Sequence, residues 1–565
     1  MKSKTITTDV NVPKNASEDR KFWSDLILEE AKQFCLNTAL HGYRFIVLPK
    51  RILLERVIWA VICLASLISA LTLLCIAWFS FQEHPTVSVT DSTHNPIWNY
   101  DFPAVTVCNL NKISRKKAFQ LARNLSVTNG KNPEELAWNI RVLFQLINND
   151  NPDIPAENYT ILSRLLKDSH VDVDEALRVL APTCKEMLLR CQWKGEERRC
   201  ESIFEQIRTS EGFCCSFNYF ALKNHSFTGI FASKAPKAPR RVSACGYQTG
   251  LEIVVNNDPE DYFATHIPSI GYRIFIDNPY YYPNDYLQNV LISMRSTNLI
   301  GVDPQFTYST ESLRYLPTSV RHCIFPEERA LLTYEYNYHN CVEECKMNMT
   351  IKYCGCVPFK YLHLKGDNQV VCSLEDISCL AEYRPSIEIS TQSHNFSTTD
   401  AQGGYVWDRT KCSCLPDCAI TDYTTEKSSG VLRRLNSIND LTLFGGYQIA
   451  NQSVVRVFFN DLVAKKIRWD VVFNWHTLLA YYGGLLGLFV GFSFVSGLEI
   501  IYFFTVRLFT DATKKIKTQT KPKKRGRRSK IIVHPVTYQN LDPTRLIIPS
   551  DIEIQRYKTN AYFFN

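Results

Sequence analysis

Residues 483–499 read GGLLGLFVGFSFVSGLE. They lie inside an apolar run of 36 residues, 471–506, whose one carboxylate is Glu499 and whose one histidine is His476. Five of the seventeen residues quoted are glycine. Glycine costs about 1 kcal/mol in a helix interior, and a carboxylate in lipid costs more. A continuous helix of that length would measure about 54 Å, against about 30 Å for the hydrocarbon core of a bilayer. The run therefore extends well beyond the membrane or is broken within it. Non-helical backbone at membrane depth is tolerated only where protein shields it or it lines water. Gly491 and Ser493 allow an extended turn with inward carbonyls, and rings of such carbonyls can replace part of an ion's water shell. Packing is the competing reading, because Gly483, Gly487 and Gly491 are spaced by four and let helices approach closely. The two readings are compatible, since a narrow pore needs close helices.

Glu499 follows Gly491 by eight residues, about two helical turns. A lone carboxylate at that depth faces a bundle interior or water, where a ring of them would favour cations. A snorkelling interface residue is the alternative. Gly491-Phe492-Ser493 also matches the start of a nucleophile elbow, but Val495 stands at the second glycine and the elbow needs a strand–turn–helix setting. With no HExxH, P-loop or Rossmann pattern either, no enzyme is expected.

Working outward, residues 57–81 form a second apolar run of 25 residues without charge. About 20 apolar residues span a bilayer, and a buried core helix is seldom so long and so free of charge. The run starts too late for a cleaved signal peptide and reads as a signal anchor. Lys50, Arg51 and Arg56 precede it, and RLFTDATKKIKTQTKPKKRGRRSK follows the other run. The positive-inside rule then puts both termini in the cytosol. The expected layout is a cytosolic tail 1–56, a span 57–81, an outer domain 82–470, a second span 471–506 and a basic cytosolic tail 507–565. Much of the net charge of +8 sits in that last tail. Beside a span it points to anionic lipid headgroups rather than nucleic acid.

Of 20 cysteines, 17 fall in the outer domain, a density that implies an oxidising compartment and a disulfide framework. Zinc is the weaker reading of CSC and CVEEC, because no histidine pairs accompany them. Cys341 and Cys345 share a helix face if that segment is helical, and Cys412, Cys414 and Cys418 could return to it as a stiff ladder. Sequons at Asn124, Asn158, Asn224, Asn348, Asn395 and Asn451 make glycosylation possible. FPAVTVCNLN, GLEIVVNN and GYRIFID read as strands. Residues 112–210 read as helical, including DEALRVLAPTCKEMLLRC with a break at Pro182, and 331–356 as helical up to its cysteines. The fold class is an α+β membrane protein: two membrane helices and a disulfide-rich outer domain with a sheet core and peripheral helices.

Two spans, cytosolic ends, FPAVTVCN soon after the first span and the cysteine ladder together resemble the degenerin/epithelial sodium channel/acid-sensing channel superfamily. GFCCSFN (212–218), RHCIFPEE (321–328) and GLLGLFVGFSFVSGLEIIYFFTVRLF look like its insect pickpocket branch. The resemblance covers about residues 40–509. It implies a trimer, of one subunit or of related subunits, with second spans lining a pore for permeant Na+ and with no cofactor. The implied site is a selectivity filter at Gly491, Phe492 and Ser493, a gate-proximal position at Ala480 and an amiloride-linked pore position at Gly487. A cytosolic gating pair falls on His41 and Gly42. The implied setting is the plasma membrane. The implied function is a sodium or cation channel subunit, opened by an extracellular chemical, osmotic or mechanical stimulus or constitutively open. A non-conducting auxiliary subunit or surface receptor is the alternative, motivated by the bulky Phe492. The implied disulfides are Cys108–Cys214, Cys191–Cys200, Cys323–Cys418, Cys341–Cys414, Cys345–Cys412, Cys354–Cys379 and Cys356–Cys372. Cys184, Cys215 and Cys245 are left over, and Cys215–Cys245 is the pair expected among them. The chain departs from the acid-sensing members after Tyr315-Leu316-Pro317, where Thr318-Ser319-Val320 supplies no tryptophan.

Overall fold

The computed structural model describes residues 16–519 apart from 131, 148–155, 223–236, 333, 365–368, 392–411, 434–449 and 473. It divides into a unit of Leu67–Leu488 and a unit joining Met1–Ser66 to Phe489–Asn565.

Among the described residues the larger unit is built on two large sheets, with a two-stranded one of Asn111–Ser114 and Tyr262–Thr265 beside them. The eight-stranded one runs in the order Thr86–Pro96, Val463–Val471, Ser296–Ser309, Ser453–Phe459, Leu251–Val255, Leu188–Trp193 and Glu196–Arg198. Ser296–Ser309 organises it. Its first half pairs parallel with Ser453–Phe459, its second half parallel with Val463–Val471, and its other edge carries Ile420–Val431 antiparallel. Pro304, with no N–H to give, falls in the gap between the two parallel partners. Thr86–Pro96, which follows the first apolar helix, pairs antiparallel with Val463–Val471, which leads into the second. The five-stranded sheet runs Asn289–Ser293, Gly271–Asp277, Ala104–Asn109, Gly212–Phe217 and Phe204–Thr209. Phe102, Val105, Val107, Phe217, Ile253, Ile274 and Val457 join strands of both sheets in one core.

Helices Arg115–Asn129, Pro133–Ile140, Ala156–Asp168 and Val173–Leu180 close a second core around Leu136, Ile140, Leu143, Leu162 and Leu177. The helical expectation for 112–210 fails at its start, where Asn111–Ser114 is a strand, and over most of the stretch beyond Met187, where only Cys200–Ile203 is helical. Leu188–Trp193, Glu196–Arg198 and Phe204–Thr209 are strands. Cys191 registers with Ile253 and Trp193 with Leu251, and such distant pairing overrides local preference. The helix Tyr338–Cys354 runs through its cysteines rather than stopping at them. The Asn337 side chain accepts the Asn340 N–H at 2.8 Å at its start, and Gly355, with φ 72°, ends it.

Eight disulfides are present among the described residues. Cys341 and Cys345, one turn apart on that helix, bond Cys414 and Cys412. Cys354–Cys379 ties it to the helix Ile377–Thr391, with Cys356–Cys372 beside it and Cys323–Cys418 at the base. Cys108–Cys214 joins two strands of the five-stranded sheet, and Cys191–Cys200 ties the strand Leu188–Trp193 to the short helix Cys200–Ile203. The expected Cys215–Cys245 bond is replaced by Cys184–Cys215, and Cys245 is free. Neighbours on a strand point to opposite faces, so Cys214 reaches Cys108 while Cys215 turns into the main core. There Cys184 lies with its Cα 5.6 Å away, inside the range a disulfide spans.

The first apolar helix is Leu53–Glu83, longer than 57–81 at both ends, and it is the one described helix long and apolar enough alone to cross a membrane. The second run differs more. Its first residue, Val471, still belongs to a strand, the helix starts at Trp475 and stops at Val490, and a new helix starts at Phe494. The pair qualifies as a span only when taken together.

Of the sequons, Asn124 and Asn348 are exposed on helices. Asn451 is half-buried, its Oδ1 accepting from Arg295 at 3.2 Å. The side chain of Asn158, in the helix Ala156–Asp168, and all of Asn224 and Asn395 lie outside the described residues.

Candidate functional site

The smaller unit contains the break in the second apolar run. Val490 ends one helix and leaves carbonyls without helical partners. The His41 N–H donates to the Val490 carbonyl at 3.0 Å. Gly491 follows with φ +71°, in the left-handed region. A Cβ placed there would lie 2.7 Å from His41 Cδ2. Both conformation and space therefore demand glycine. Ser493 is extended and caps the next helix, its Oγ accepting the Ser496 N–H at 3.2 Å and lying 3.1 Å from Ser496 Oγ. Three residues thus separate two helices, and each end has a polar partner. The elbow reading needs a strand before the serine, and here a helix precedes it.

The His-Gly pair has its own support. Gly42 has φ +80°, and a Cβ there would meet Cys63 Sγ at 2.7 Å. The Cys63 thiol donates to the His41 carbonyl at 3.6 Å, and Phe45 stacks on Trp59 with centroids 4.7 Å apart. The turn is pressed between the start of the first apolar helix and the break in the second. His41, Gly42, Gly491, Phe492 and Ser493, far apart in sequence, thus fall in one unit and His41 touches Gly491.

Phe492 does not project freely. A Cβ on Gly497 would come within 3.3 Å of its Cζ, so the ring lies over Gly497, one turn along its own chain. Glu499 is on the same helix, Phe494–Ile501, with one carboxylate oxygen shielded from solvent and without a hydrogen-bond partner. Ala480 and Gly487 lie on the helix Trp475–Val490 of the larger unit, Ala480 exposed and Gly487 half-buried.

The sequence reading missed what holds the N-terminal helix Ala16–Asn37. Its Leu26, Glu30 and Phe34, four residues apart, are buried. Glu30 pairs with Arg507 at 3.1 Å, Glu29 with Lys515 at 2.7 Å, and the Phe34 ring lies 5.7 Å from that of Phe503. The spacing of those three residues was the available signal. No group of three metal-ligating side chains occurs among the described residues.

A family profile described as Amiloride-sensitive sodium channel matches residues 34–503. The chain is 24% identical over 497 residues to Sodium channel protein Nach of Drosophila melanogaster, covering 86% of this chain and 88% of that one. Pickpocket protein 11 of the same species is 24% identical over 476 residues, covering 84% and 75%. Acid-sensing ion channel 1A of Danio rerio is 25% identical over 492 residues, covering 83% and 86%.

Proposed function

The chain belongs to the amiloride-sensitive sodium channel family, and we propose that it is a sodium-permeable channel subunit of the pickpocket-like branch. On this reading it sits in the plasma membrane with both termini cytosolic, and three subunits, identical or related, surround a pore lined by their second apolar helices. The observation that carries it is the break at Gly491–Ser493, which supplies non-helical backbone inside an apolar run, the arrangement a carbonyl-lined filter requires. Gly483 and Gly484 face open space in a single chain, which suits close approach by neighbours. Glu499 would add a negative ring beyond the filter. Ala480 is the gate-proximal position and Gly487 the blocker-linked one. The disulfide column would convey an outer stimulus to the second helix, biasing a closed–open equilibrium.

Two-electrode recording tests this with Ala480→Phe, expressed alone and with related subunits. The expected result is a standing sodium current blocked by amiloride. Current only in mixtures would mark an auxiliary subunit, and no current in any combination would count against the channel reading.

A further inference from the structure

At the base of the disulfide column lies Arg321, 2% exposed and the largest fully buried side chain among the described residues. Charged side chains are almost never so buried unless paired. Its Nε donates to the Cys323 carbonyl at 2.9 Å, and its Nη1 to the carbonyls of Leu316 at 3.2 Å and Arg314 at 3.4 Å. Its Nη2 donates to the Glu328 carboxylate, which also accepts the Phe325 N–H at 3.0 Å. The Phe325 ring lies 5.0 Å from the Arg321 guanidinium carbon and 4.1 Å from that of Arg314. One planar fork thus binds three backbone carbonyls and a carboxylate, a geometry that lysine cannot copy. Cys323, whose carbonyl it holds, is bonded to Cys418.

The segment just before this knot grips the strand that feeds the second apolar helix. The Thr310 N–H donates to the Trp469 carbonyl at 3.0 Å, and its hydroxyl to Asp470 at 2.7 Å. Leu313, Cys323, Phe325 and Cys418 form a buried cluster, and Leu316, Trp469 and Val471 pack on it. Beyond Val471, the Val472 N–H donates to the Pro85 carbonyl at 2.9 Å, and the helix begins at Trp475.

We propose that Arg321 and Glu328 form a clasp that fixes the base of the disulfide column to the strand Val463–Val471, and so positions the second apolar helix for gating. This rests on the channel reading. Arg321 and Glu328 are positioning residues: they act through Leu313 and Thr310 on Trp469 and Asp470, and touch no ion.

Amide hydrogen exchange on the purified full-length chain tests the clasp without needing current. Glu328 is partly exposed, so Glu328→Gln should fold; Arg321→Lys keeps the charge and loses the fork. In each, exchange at Thr310 and across Val463–Val471 should rise roughly tenfold, as expected for a lost charge-assisted hydrogen bond, with Leu251–Val255 unchanged. A rise confined to 321–328, or none, overturns the proposal. In recordings, Glu328→Gln should reduce current, whereas Ala480→Phe with Glu328→Gln should keep the current of Ala480→Phe alone. Equal loss in both backgrounds, with normal surface labelling, also overturns it. No current from Ala480→Phe in any combination would contradict the channel reading itself, and the exchange pattern would still decide the clasp.

Discussion

Phe492 and Gly497 depend on each other. A bulky residue in the middle of the break is compatible with a pore only if its ring has somewhere to rest, and the missing side chain of Gly497 supplies the place. Gly497→Leu should displace the ring, since overpacking forces neighbours off their preferred rotamers. The expected outcome is a several-fold loss of sodium conductance or a changed Na+/K+ permeability ratio, reversed when Phe492→Ala is added. Conductance unaltered by Gly497→Leu would show that the ring rests elsewhere. Burial acts differently on Asp277 and Asp417 in the larger unit, pushing both carboxyls up to about 7. Asp422, itself raised by burial, adds repulsion to each, while the N–H groups of Asn278 and Gln288 on Asp277, and of Tyr338 on Asp417, pull the other way. The native state then keeps a proton that the unfolded chain loses near pH 4. Each group's contribution to stability therefore falls as pH rises from about 4 to 7 and levels off above. Asp277→Asn should flatten that slope, measured as the melting temperature of the full-length chain against pH.

Among the elements, the disulfides separate what residue spacing can carry from what it cannot. Cys341 and Cys345 are legible as a pair because a helix places i and i+4 on one face. Cys184, Cys215 and Cys245 are not, because their separations of 31 and 30 residues close loops of nearly equal cost. Cys184 and Cys245 both pack on the core that Cys215 enters, and only the fold, which brings the Cys184 Cα within 5.6 Å of that of Cys215, decides between them. Non-reducing peptide mapping should recover Cys184 linked to Cys215 and label Cys245 with an alkylating reagent. A peptide linking Cys215 to Cys245 would contradict this. The same limit explains Leu188–Trp193. Its local pattern continues a helix, and of its two partner strands the longer, Leu251–Val255, lies some sixty residues away. The break at Gly491 was legible for the opposite reason, since glycine and serine write it locally. The start of the second helix was not, because Val471, the last residue of the strand, and Val472 after it are as apolar as the helix that begins at Trp475. The N-terminal helix escaped notice because its partners, Phe503, Arg507 and Lys515, lie nearly the whole chain away.

For the whole molecule, one connection orders the rest. The strands that leave the first apolar helix and enter the second pair with each other from Thr86 and Val471 onward. Any shift within the larger unit that reaches Val463–Val471 is therefore felt where both apolar helices join it. On the proposed channel reading, Gly491, Phe492 and Ser493 select the ion. The most direct test is the reversal potential of the amiloride-blocked current as external sodium is varied, in the wild type and in Ser493→Cys. A sodium-selective pore predicts a shift of roughly 59 mV per tenfold change in the wild type and a clearly smaller one in Ser493→Cys. A reversal potential that Ser493→Cys leaves unchanged would contradict a filter at Gly491–Ser493.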